Sequence, residues 1–210
     1  MHWRTVYDTT YQIIEEEYLA HEDFLPQRVV SPSKYYINSG SNANFKGGNS
    51  RVIVPVDLPE GTTEWFYEFS AYRKSDKVES AMKAFNLVGQ LGKLIDQSGA
   101  LTAGFNILTA PPGESVCEVY LFNDDSYAPF LAKEPFDYHP IGSGLNLKSG
   151  IKEIKWVPEG IIYLGFINPD WFHGIHIAVE VVAIVHEQEW AIRTIQKPIV
   201  TSSLQPYLMN

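Results

Sequence analysis

Residues Ile161–Val185, IIYLGFINPDWFHGIHIAVEVVAIV, decide the fold. They read as two strands joined by an Asn168-Pro169-Asp170 loop that carries Trp171, Phe172, His173 and Gly174. Both strands are apolar on both faces. Each must therefore be covered on two sides, which puts the pair at the centre of a layered β domain.

Strand and turn signals continue on either side. Arg51 to Leu58 and Glu64 to Tyr72 form a hairpin across Pro59-Glu60-Gly61-Thr62. Its second strand sets Trp65, Tyr67, Phe69 and Ala71 on a core face and Glu64, Phe66, Glu68, Ser70 and Tyr72 on a partly wet one. Further strands are expected at Lys34 to Ser39, Gly104 to Leu108, Val116 to Phe122 and Ile151 to Val157. Turns such as Pro111-Pro112-Gly113 and Asn123-Asp124-Asp125 punctuate them. A spacing of roughly ten residues per strand-and-turn unit indicates a mainly β protein, an antiparallel β-sandwich or jelly roll. Thr5 to Leu19 fits a strand better than a helix, with Glu15 and Glu17 on one side and Glu16 on the other.

The period changes between Ser75 and Ser98. Val78, Ala81, Met82, Phe85, Val88 and Leu91 recur at three and four, so one amphipathic helix over about 76–97 is expected, stopped by Gly99. The sandwich is expected to occupy 1–186 as a single domain, with 187–210 as a tail holding a short helix around Trp190 to Ile195.

Net charge is −9, and an acidic surface repels phosphate backbones and anionic lipid. Nucleic acid is thus an unexpected partner. No apolar run is long enough for a transmembrane helix, and the N-terminus does not read as a signal peptide, so the cytoplasm is the default compartment. The single cysteine, Cys117, precludes an internal disulfide and reads as a small core residue.

A turn Ala110-Pro111-Pro112-Gly113 before the VYLF strand (Val119 to Phe122), the pair Phe130-Leu131, and the segments EWFYEFSAY (64–72), YLGFIN (163–168) and VEVVAIV (179–185) together carry a resemblance. They resemble a family of uncharacterised bacterial β-sandwich proteins similar to the Golgi-dynamics (GOLD) type of domain. The resemblance covers about residues 35 to 185. It implies a compact sandwich used for protein contacts and, in some settings, for lipid or cargo recognition. The inserted helix departs from that pattern, and no site residue is carried over.

Catalytic and metal signatures are weak. His173 and His176 lie three apart, and on a strand such residues point to opposite faces. His176 shares a face with Glu180, a more natural partner than a metal. Glu15 and Glu17 read as a charged edge, and Asp124 and Asp125 as an Asx-type turn. Ser143 lacks the strand–elbow–helix setting of a hydrolase serine, and Gly47-Gly48 lacks a following Lys-Ser/Thr. No cofactor or metal is expected.

Aromatic loops remain as candidate contacts: Trp171, Phe172 and His173 after Asp170, Phe45 in its Gly/Asn loop, and Tyr127 after the acidic turn. Such residues either cap a sandwich or offer a surface. The expectation is a non-catalytic binding module for another protein or for itself, with a homo-oligomer in view. The rival is a carbohydrate-binding or carbohydrate-processing jelly roll that stacks glycan on Trp171, Trp65 or Tyr72.

Overall fold

The computed structural model describes residues 2–45, 48–96, 98–101 and 107–208, the side chains of Asn44, Phe45 and Tyr207 excepted. The strand expected at Gly104 to Leu108 falls mostly outside those residues. The elements are β1 His2–Ile37, α1 Gly40–Phe45, β2 Arg51–Val56, β3 Thr62–Tyr72, α2 Ser75–Ala84, α3 Leu87–Leu91, β4 Cys117–Phe122, α4 Tyr127–Ala132, β5 Gly144–Leu147, β6 Ser149–Ile154, β7 Ile162–Ile167 and β8 Ile175–Tyr207. They form two compact units: Asp23–Glu187, and residues 2–22 with 188–208.

The larger unit is an antiparallel β-sandwich. One sheet has the order β1-β8-β3-β6 and the other β2-β7-β4-β5. The neighbours β1·β8, β2·β7, β3·β6 and β4·β5 each sum to nine, the pattern of one long antiparallel ribbon rolled up as a jelly roll. Between the sheets, Trp65, Tyr67 and Phe69 of β3 and Ile177, Val179 and Val181 of β8 pack with Val54, Val119, Leu121, Leu164 and Phe166. Two polar atoms in this core are satisfied from its rim: Tyr67 Oη donates to the Gly142 carbonyl at 2.7 Å, and Trp65 Nε1 to that of Trp156 at 3.0 Å.

The second face of β3 is not partly wet, because helices cover it. Phe66 with Val182 and Ile184 lies under Leu87 and Leu91 of α3, and Tyr72 with Ala178 lies under Val78, Ala81 and Phe85. Between these two clusters Glu68 stands directly opposite Glu180, both fully buried. That polar row explains why the expected single helix over 76–97 is two. The backbone turns extended at Phe85 (φ −62, ψ 127), and the Leu87 amide donates to the Glu180 carboxylate at 3.4 Å. Each helix then caps one apolar cluster.

The smaller unit corrects the expected tail. Instead of a helix around Trp190 to Ile195, β8 runs unbroken to Tyr207. Residues 2–22 group with it rather than with the sandwich. Thr201 meets Asp8, Arg193 meets Glu16 and Gln188 meets Glu22, so the strands run antiparallel as a two-stranded ribbon. Alanine and isoleucine at 191 and 195 imitate helical spacing, but Ile192, Thr194, Ile195, Ile199, Val200 and Thr201 are β-branched and favour the strand.

Candidate functional site

The loop after β7 is a rigid structure. Asn168 Nδ2 donates to the carbonyls of Ile37, Asn38 and His173, at 3.4, 3.1 and 2.8 Å. Its Oδ1 accepts from the Asp170 amide at 3.0 Å. Asp170 in turn accepts from the amides of Phe172 and His173, at 2.8 and 3.1 Å, and lies 3.2 Å from Arg73 Nη2 and 3.3 Å from His173 Nδ1. The Phe172 amide, above all, holds the Asp170 carboxyl below its ordinary range. The chain spends its polar groups here on fixing the turn.

The aromatic residues of the loop divide. Trp171 is half exposed, yet its ring lies on Gly40, where an added Cβ would come within 2.6 Å of it. The α1 backbone is anchored to the same loop, Gly40 N–H to Asp170 O and Ser41 N–H to Trp171 O. Phe172 and His173 point outward. The Phe45 side chain lies outside the described part of the chain. Tyr127 packs edge-on against Tyr163 with ring centres 5.0 Å apart. Tyr163 is at the start of β7 and Asn168 follows its end, a separation of about 17 Å along the strand. Tyr127 therefore does not join the Trp171 loop in one platform.

Chemistry is equally constrained. Ser143 Oγ donates to the His139 carbonyl and accepts from the Leu121 amide, so it closes a turn. Burial pushes the Cys117 thiol well up. His176 does not reach Glu180, which pairs instead with Arg28 Nε at 2.7 Å. Among the described residues no group of three His, Cys, Asp or Glu could hold a metal ion. A cleft of about 670 Å³ holds Glu64 and Glu153, and burial with the neighbouring charge raises Glu64 to about 7. No hydroxyl or thiol nucleophile is held against either carboxyl among the described contacts. An apolar cleft of about 810 Å³ lies beside Leu121, Ile141, Ile154 and Trp156.

The ribbon holds what sequence reading missed. Arg193 bonds Glu16 at 2.8 Å and lies over the Tyr18 ring, so even residues of β1 and odd residues of β8 share one face. The partial burial of Val6, Ile14, Glu16, Ala191 and Ile195 agrees with this. By strand alternation the other face carries Trp3, Tyr7, Tyr11 and Ile13 with Trp190, Ile192, Val200 and Leu204. All eight are 59–70 % exposed. The signal was available: large apolar residues at 3, 7, 11 and 13 all fall on one side of a strand. No helix among the described residues is long and apolar enough to cross a membrane.

No family model matches this sequence, and no curated protein matches it.

Proposed function

We propose that the chain is a non-catalytic interaction module whose contact element is the ribbon, not the aromatic loop after β7. One observation carries the reading: a two-stranded ribbon with both faces open and eight large apolar side chains on one of them. A lone two-stranded ribbon is at best marginally stable in water, and an exposed apolar face of this size marks a contact surface. The resemblance to GOLD-type domains supports the same class, a binding module. Sugar stacking draws less support, because Trp65 and Tyr72 are core residues and Trp171 rests on Gly40.

The full chain and a Tyr7→Thr/Trp190→Thr double variant test this. Both replacements keep strand propensity and remove aromatic area. The wild type is expected to run in size exclusion at more than one polypeptide's mass, alone or with a stoichiometric protein partner. The variant is expected to run as a lone monomer with unchanged sandwich melting. Lone monomers in both cases, with the ribbon amides equally protected from exchange, would overturn the reading.

A further inference from the structure

We propose that the occupant of the ribbon's apolar face is a second copy of this chain, laid face to face about a two-fold axis. This rests on the ribbon being the contact element and names its partner.

The face is large and carries only two charges, Glu15 and Glu17, at one end beyond Ile13. From residue 3 to 13 of β1 it presents Trp3, Thr5, Tyr7, Thr9, Tyr11 and Ile13, and from 192 to 206 of β8 only apolar, hydroxyl and amide residues. The remaining charge lies on the opposite face, with Arg4, Asp8, Glu16, Arg193 and Lys197. The stretch formed by residues 3–13 and the even positions 194–206 needs no complementary charge, so an identical surface can cover it, which is the requirement of an isologous contact. The eight exposed side chains offer on the order of 1,000 Å² per copy, above the ~800 Å² that each side of a standard-size interface buries.

The ribbon's edges are closed to the alternative, strand addition. Pro198 and Pro206 lie within β8, and a proline nitrogen is tolerated in a paired strand only on the side facing away from its neighbour. Eight residues apart, they share that direction and leave two gaps along the free edge of β8. On β1 the free edge belongs to a segment with five carboxylates, Asp8, Glu15, Glu16, Glu17 and Glu22, against one arginine, Arg4. Two such edges would set like charges opposite each other. Face-to-face packing avoids both obstacles. It turns two marginal ribbons into a four-stranded, two-layer unit with a buried middle.

Light scattering of the purified full chain and a cysteine scan test the proposal together. Cys117, fully buried, stays silent. Single cysteines at Thr5, Thr9 and Ser202 lie on the apolar face, and those at Thr10 and Ser203 on the other. The expected result is a two-copy mass, disulfide-linked dimers confined to the first set, and at least a tenfold weaker dimer in Tyr7→Thr/Trp190→Thr. Cross-links at Thr10 or Ser203, or masses that grow without limit, would overturn the face-to-face dimer while leaving the ribbon as the contact element. A single-copy mass with binding to phosphatidylcholine vesicles or to a foreign protein would overturn the second copy. A lone monomer with no partner, indifferent to the double substitution, would remove both proposals.

Discussion

Strand β8 passes through two environments, and the contrast between them divides the molecule. From Ile175 to Val185 every residue but His176 is buried, and the strand is apolar toward both the sandwich core and the helices. From 187 onward most side chains are exposed, and the most exposed large apolar ones, Trp190, Ile192, Val200 and Leu204, share one face. The first segment is stable because the domain supplies a cover for each face. In the second, nothing within its own unit covers the aromatic side. The same covalent strand therefore serves as scaffold in one half and as contact surface in the other, and substitutions should report which half they fall in.

The largest effect belongs to the core. Trp65→Ala removes a fully buried indole and should cost the sandwich about 3–5 kcal/mol in denaturant unfolding. Next comes Arg28→Ala, which leaves the fully buried Glu180 carboxylate with one long bond from the Leu87 amide. A loss of about 3 kcal/mol at pH 7 is expected, since a buried charge stripped of its partner is costly. A loss under 1 kcal/mol would mean that water reaches Glu180.

Glu68→Gln should act in the opposite direction. Burial first, and then the charge of Glu180 directly opposite, raises the Glu68 carboxyl from 4.5 to about 8. The folded protein thus keeps a proton that the unfolded chain releases. The stability this contributes is full below pH 4.5 and is lost as pH climbs to about 8. Melting of the wild type should fall across that window, and Glu68→Gln should flatten it, with a gain of about 1–2 kcal/mol at pH 8. An equal slope in both proteins would break the account. The smallest effect on the sandwich is expected from Trp3→Thr, within about 0.5 kcal/mol, because its ring is exposed. That comparison sharpens if the same change weakens association.

Local pattern carried much of the fold but not its long-range parts. The strands at 51–56, 62–72, 117–122 and 162–167 and the doubly apolar β8 core were legible, since period and turn chemistry are local. The expected hairpin of the first two is not formed: β2 pairs with β7 and β3 with β8 and β6, so the turn at 59–61 crosses between the two sheets, and pairing partners are not a local signal. The cover over Phe66, Glu68 and Tyr72 was not. Glutamate at 68 reads as solvent-facing, and only its cross-strand neighbour Glu180, 112 residues away, marks it as part of a buried row. The break at Phe85 follows from that same row, so it was equally hidden. Loop residues 168–174 were found as a feature, yet Asn168 and Asp170 turned out to hold the loop shut on itself. The ribbon escaped because its two strands are paired across nearly the whole chain, where no local window sees both.

That pairing has a kinetic consequence. Asp8 waits for Thr201, 193 residues later, so the ribbon cannot close until β8 has emerged from the ribosome. Contacts of such separation form slowly. Through that interval the leading strand stands open with Trp3, Tyr7 and Tyr11 exposed. Its five carboxylates then act as gatekeepers, repelling other nascent chains until its own mate is synthesised.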